Sequence, residues 1–168
     1  MPELPEVETT VAGIKPYLID AMIERLVVRQ PQLRWPVTHD IENTAKGLKI
    51  ENVSRRAKYI IVFLTNGSFL IHLGMSGSLR LITNSDSLKK HDHIQMHLSN
   101  GHVLTFHDPR RFGCWLWSKY DHALLEKLGP EPLSSNFSGE YLWNKARKRT
   151  APVKSFIMDS RIVVGVGN

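Results

Sequence analysis

Tyr59-Ile60-Ile61-Val62-Phe63-Leu64-Thr65-Asn66-Gly67-Ser68-Phe69-Leu70-Ile71-His72 decides the fold. Two short runs rich in β-branched and aromatic residues flank Asn66-Gly67, the pair that a two-residue hairpin turn favours because both central positions require positive φ. The stretch therefore predicts an antiparallel hairpin. Outward from it the same pattern recurs at Met22 to Arg29, Lys49 to Ser54, Ser78 to Ile82, His93 to Leu98, His102 to Phe106 and Trp115 to Ser118, with a second Asn-Gly at Asn100-Gly101. Eight short strands in succession predict a β-sandwich or barrel.

Helices are expected at both ends. Pro5, Glu6 and Glu8 have the character of a first helical turn, and Val7, Val11, Ile14 and Leu18 follow at helical spacing. Gly129-Pro130-Glu131-Pro132-Leu133-Ser134-Ser135 reads as a linker. Beyond it, Gly139 to Lys148 and Pro152 to Asp159 read as short helices with Ser138 and Thr150 as caps. The expected division is a catalytic domain over 1–131, a linker over 132–137 and the first helices of a second domain over 138–168. The glycine-rich end, Val163-Val164-Gly165-Val166-Gly167-Asn168, reads as a chain cut short.

Composition bounds the function. The 168 residues are 42% hydrophobic, enough for a real core, and 22 Lys and Arg against 16 Asp and Glu give +6, which suits a polyanionic partner. A single cysteine, Cys114, excludes an internal disulfide framework and a multi-cysteine zinc site within these residues. With no membrane-spanning run and no signal-like N-terminus, the expected location is cytoplasmic.

The N-terminus carries the first chemistry. Removing Met1 from Met1-Pro2-Glu3-Leu4-Pro5-Glu6 leaves a secondary amine beside carboxylates. Such an amine attacking a sugar C1′ gives an iminium, an electron sink for breaking adjacent bonds. An α-amino group titrates near pH ~8 against ~10.4 for lysine, so more of it is reactive near neutrality. A helix N-terminus beside it further disfavours protonation. In Arg55-Arg56-Ala57-Lys58-Tyr59, Lys58 is expected at a sheet rim where it can reach a cleft, with a solvated strand end as the alternative. Met75, between Gly74 and Gly77, reads as a contact for a ligand more than as core filler.

Asp108-Pro109-Arg110-Arg111-Phe112-Gly113 presents an arginine and an aromatic two residues apart, pointing the same way if extended. A guanidinium beside an aromatic wedge suits prising apart a base step and bonding the base left behind, though a structural loop reads similarly. Lys145, Arg147, Lys148 and Arg149 are placed on the first short helix, able to track phosphates. His91, His93 and His97 share strand parity, which raises a three-histidine metal site. Gln95 on the same face and the lack of an acidic partner argue against it, and His91 reads better as a DNA contact.

Together, the Pro2 to Glu8 run, Arg55-Arg56-Ala57-Lys58-Tyr59, His72-Leu73-Gly74-Met75-Ser76-Gly77, Asp108 to Gly113 and Gly165-Val166-Gly167-Asn168 closely resemble bacterial formamidopyrimidine-DNA glycosylase. The resemblance implies a mainly β fold with helices: an N-terminal β-sandwich flanked by helices, then the start of a helix-two-turns-helix domain. It implies a monomeric base-excision repair enzyme acting on double-stranded DNA with oxidised purines or abasic sites. Such an enzyme removes 8-oxoguanine and formamidopyrimidines, then cleaves the strand by β- and δ-elimination.

On the same resemblance, Pro2 is the nucleophile, Glu3 the acid-base residue, Glu6 a support of that pocket and Lys58 the proton-transfer lysine. Met75, Arg110 and Phe112 fill the space of the flipped nucleotide. His72, Arg111 and Asn168 position phosphates, and His91 and Arg149 add DNA contacts. The resemblance also implies one structural zinc in a C-terminal finger lying outside this sequence, and no cofactor within it. Two alternatives stay open: a truncated, catalytically weak remnant that binds damaged DNA, and an endonuclease VIII-like glycosylase for oxidised pyrimidines. The Met75, Arg110 and Phe112 set argues against the second.

Overall fold

The eight expected strands all form, and they pair into two four-stranded antiparallel sheets. The computed structural model describes residues 1–83 and 87–168. In chain order the strands are β1 (Ile23–Val28), β2 (Ile50–Arg56), β3 (Tyr59–Leu64), β4 (Gly67–His72), β5 (Ser78–Ile82), β6 (Asp92–Leu98), β7 (Val103–His107) and β8 (Cys114–Ser118). One sheet runs β1-β6-β7-β5 and the other β2-β3-β4-β8. Ile23, Leu26, Ile94, Met96, Leu104 and Phe106 of the first sheet share one core with Val53, Ile60, Val62, Phe69, Ile71 and Trp115 of the second. Two antiparallel sheets that bury facing side chains make a β-sandwich.

Helix α1 (Leu4–Leu18) closes the sandwich on the side of β2, burying Val7, Val11, Ile14 and Leu18 as their spacing predicts. A short helix the sequence did not announce, α2 (Ile41–Ala45), packs on β1 through Ile41 and Ala45. After the sandwich come α3 (Gly139–Ala146) and α4 (Val153–Ile157). The Ser138 hydroxyl caps α3 by accepting from the Tyr141 N–H at 3.1 Å. Thr150 caps nothing: the residue before α4 is Pro152, which stops the helix short of it.

The hairpin registers differ from the turn chemistry that predicted them. Leu64 pairs with Gly67, so the loop is Thr65-Asn66, and neither Asn66 nor Gly67 has positive φ. Gly67 is required for space instead. A Cβ there would lie 2.3 Å from the Trp117 ring and 2.6 Å from the Ser118 carbonyl. The second hairpin has a three-residue loop, Ser99-Asn100-Gly101, closed by the Gly101 N–H donating to the Leu98 carbonyl at 3.0 Å. Only Gly101 there is left-handed, with φ +87°, as in a type I turn followed by a bulge glycine.

Candidate active site

The N-terminus of α1, the β2–β3 turn and the C-terminal glycine segment meet at one place. Glu3 precedes the first turn of α1, and its backbone N–H donates to Glu6 Oε2 at 3.0 Å, which fixes Glu6 as a brace of the helix start. Lys58 occupies the second position of the two-residue β2–β3 turn, and its ammonium bonds and ion-pairs with the Glu3 carboxylate. Lys58 thus stands at a sheet rim and reaches inward, with its side chain 17% exposed. From the other side, Gly167 packs so closely that a Cβ would sit 2.3 Å from Glu3 Oε2, and Gly165, at φ +80°, presses on Leu4. Pro2, half-buried, is covalently next to this carboxylate–ammonium pair, and exposed Asn168 is next to Gly167.

Lys58 is aimed by a residue that the sequence places beside the linker. Ala57 takes a left-handed φ of 54° without being glycine, a conformation that must be held by its neighbours. Glu131 holds it. Its carboxylate accepts from the Ala57 N–H at 2.7 Å, from Arg55 at 2.9 Å and from Arg56 at 3.0 Å, and Arg55 also donates to the Ala57 carbonyl at 2.8 Å. Burial alone would raise the Glu131 pKa, but the Ala57, Arg55 and Arg56 hydrogen bonds outweigh it and hold the carboxyl below its ordinary 4.5. The contact spans more than 70 residues, so no local motif points to it.

His72 ends β4 on the same side, its ring 4.8 Å from that of Tyr59. The Gly74 N–H donates to His72 Nδ1 at 2.9 Å, which places the ring proton on Nε2 as a free-standing donor. Burial first, then the charges of Arg34 and Lys58, push its pKa below 6.5 against the opposing Asp108. Lys58, Tyr59, His72, Gly165 and Val166 line a cleft of about 180 Å³.

Met75, Arg110 and Phe112 lie on two loops pinned to each other. The 108–113 segment is a turn, not an extended strand: the Arg111 N–H donates to the Asp108 carbonyl at 3.2 Å and Arg111 has φ 57°. Arg110 and Phe112 therefore do not share a strand face as the extended reading expected. Arg110 instead lays its guanidinium over the Phe112 ring, 4.8 Å from the centroid. Fully buried Asp108 accepts from Ser76 Oγ at 2.8 Å and from the Gly113 N–H at 2.8 Å, and Ser76 Oγ accepts from the Arg110 N–H at 3.1 Å. A Cβ at Gly74 would meet the Phe112 backbone at 2.5 Å, so the loops touch backbone to backbone. Met75 and Phe112 are left 39% and 42% exposed, apolar tips on adjoining loops.

His91 and Arg111 line a separate cleft of about 420 Å³ with Arg29 and Lys90. The three strand histidines do not converge: His93 Nε2 lies 2.7 Å from the Asp108 carbonyl, and His97 pairs with Arg25 at 3.3 Å. Of the basic cluster only Lys145 lies within α3, because the helix ends at Ala146 and Lys148 turns left-handed at φ 62°. Exposed Arg149 follows it in a loop, not on the helix.

Residues 1–115 match the family model for the formamidopyrimidine-DNA glycosylase N-terminal domain, and residues 128–168 match that of its helix-two-turns-helix domain. The chain belongs to the formamidopyrimidine-DNA glycosylase family. It is 53% identical over its full length to the formamidopyrimidine-DNA glycosylase of Marinobacter nauticus and 52% identical to that of Pasteurella multocida, spanning 63% of each relative. The structure of the Lactococcus lactis enzyme non-covalently bound to DNA containing an AP site superposes with a TM-score of 0.90 at 30% identity, covering 99% of this chain and 66% of that one. The wild-type Lactococcus lactis enzyme in complex with DNA containing N7-benzyl-Fapy-dG gives the same TM-score at 31% identity, covering 99% of this chain and 64% of that one.

The structural zinc implied by the resemblance belongs to a finger outside this sequence, and the described residues offer no second site for it. Cys114 is buried in β8, where burial pushes its thiol up to about 11. Among the described residues no three His, Cys, Asp or Glu side chains gather, so no metal chemistry is assigned to them. No described helix is long and apolar enough to cross a membrane.

Proposed function

We propose that this chain carries the glycosylase and strand-cleaving centre of a base-excision repair enzyme acting on double-stranded DNA with oxidised purines or abasic sites. The observation that carries the reading is the Glu3–Lys58 pair at the N-terminus of α1, one residue from Pro2. Family membership and the damaged-DNA complexes of the Lactococcus lactis relative support it.

Once Met1 is removed, the Pro2 amine attacks C1′ of the damaged nucleotide. The glycosidic bond breaks and the base leaves with the proton that the amine gives up, and Glu3 donates a proton to the ring oxygen as the C1′–O4′ bond opens to the iminium. Lys58, hydrogen-bonded to Glu3, carries away the C2′ proton as the C3′–O bond breaks and the phosphate leaves, and water then hydrolyses the iminium and releases Pro2. Met75, Arg110 and Phe112 fill the gap left by the extruded nucleotide, Arg110 bonding the orphaned base. His72, Arg111 and Asn168 position phosphates, His91 and Arg149 add further DNA contacts, and the boundary between domains falls in 132–137.

Cleavage assays test this with the chain completed by the C-terminal third of the Marinobacter nauticus relative. Duplexes carrying 8-oxoguanine should be cut in preference to duplexes carrying an oxidised pyrimidine. The opposite preference would favour an endonuclease VIII-like enzyme, and binding without cutting would favour a non-catalytic remnant.

A further inference from the structure

Arg34 and Trp35 sit on the loop after β1, between Pro31 and Pro36, and their backbone position is fixed. The Arg34 N–H donates to the Gly113 carbonyl at 3.2 Å, and Leu33 is anchored in the core at 8% exposure. With Tyr59, His72, Phe112 and Cys114 they line a cleft of about 360 Å³. This cleft and the one containing Lys58 adjoin at Tyr59 and His72, so Arg34 stands between the reacting end and Phe112 along the lining residues.

Arg34 and His72 bring N–H donors to the cleft, and none of the described residues lining it is a carboxylate. Exposed Arg34 has no ion pair or side-chain hydrogen bond among the described residues, and His72 has committed only Nδ1. The one carboxylate acting on His72, Asp108, is buried with both oxygens already bonded to Ser76 and Gly113. Burial lowers the His72 pKa and raises those of Tyr59 and Cys114, and the Arg34 charge adds to the first effect and opposes the other two, so it is felt at all three. An uncompensated guanidinium beside an imidazole N–H, rimmed by Trp35 and Phe112, matches an anion attached to flat or apolar groups.

We propose that Arg34 and His72 together seat one phosphodiester of the bound DNA between the reacting end and the wedge, with Trp35 covering the adjoining sugar or base. This rests on the DNA reading above. Arg34 is a positioning residue: it holds the backbone and does not touch the reacting atoms.

Titrating an abasic-site duplex at several salt concentrations against the chain and its Arg34→Gln and Arg34→Lys variants tests it. Losing one phosphate contact should flatten the log affinity versus log salt slope by about 0.9 in Arg34→Gln, and Arg34→Lys should restore most of it. Neutral methylphosphonates placed one at a time along the duplex should reveal a position that weakens the parent protein and leaves Arg34→Gln unaffected. Equal slopes for parent and Arg34→Gln, or no such position, overturn the Arg34 assignment alone. A parent protein without salt-dependent DNA binding overturns the DNA reading, and this inference with it.

Discussion

Asp108 shows how one buried carboxylate organises a surface that is otherwise all loop. It is fully buried and joins the 74–77 and 108–113 loops through Ser76 and Gly113. Asp108→Ala leaves the buried Gly113 N–H without an acceptor, at a cost of about 1 to 3 kcal/mol. Urea unfolding should show a loss of that size, with the 74–77 and 108–113 loops released from each other; an unchanged midpoint would mean that the two loops are held by their backbone contacts alone. Arg110 makes a different kind of contribution, since its guanidinium lies over Phe112 at the surface and braces no core. In the completed enzyme, Arg110→Ala should weaken discrimination for cytosine opposite the lesion by about 1 to 3 kcal/mol, the worth of a good base contact. Equal losses against all four opposite bases would show that Arg110 holds phosphate instead.

The strands were legible because alternation and β-branched residues report burial on a sheet face, and α1 because Val7, Val11, Ile14 and Leu18 mark one helical stripe. The loop registers were not legible. Thr65-Asn66 displaces the expected Asn66-Gly67 turn because Gly67 must clear Trp117 and Ser118, which approach from a strand some 50 residues away in sequence. Gly67→Ala should therefore destabilise the sandwich by about 1 to 3 kcal/mol through overpacking, while Asn66→Ala, at a position without positive φ, should change thermal stability little. The reverse ranking would restore the turn chemistry as the cause. Glu131 escaped notice for the same physical reason: a carboxylate between two prolines reads as linker until the chain folds it onto Ala57. Pro2, Glu3 and Lys58 were legible as residues. The left-handed Ala57 that aims Lys58 was not, because alanine gives no sign of it.

At the scale of the molecule, protonation couples to folding through several buried groups. His72, His97 and His122 are all held below 6.5, chiefly by burial, so the folded chain binds fewer protons than the unfolded chain in that window. Stability should then rise with pH through the window and fall as pH drops below about 6.5. Asp92 and Glu131, held below 3.8 and 4.5 by their hydrogen-bonded partners against the opposing effect of burial, contribute above those values and lose that contribution as pH falls further. Urea midpoints at pH 7.5, 6.5 and 5.5 should decrease in that order, and a flat series would contradict the histidine assignment. The chain spans 63% of its Marinobacter nauticus relative. Adding that relative's remaining third should steepen the salt dependence of DNA binding by about 0.9 for each further phosphate neutralised, and equal slopes would place the whole grip within these residues. The central claim is that the α1 N-terminus supplies the nucleophile. Borohydride reduction of the completed enzyme mixed with 8-oxoguanine duplex, followed by peptide mapping, tests it most directly: a covalent DNA adduct on Pro2 of a chain lacking Met1 is expected, and an adduct on Lys58, or none, would contradict it.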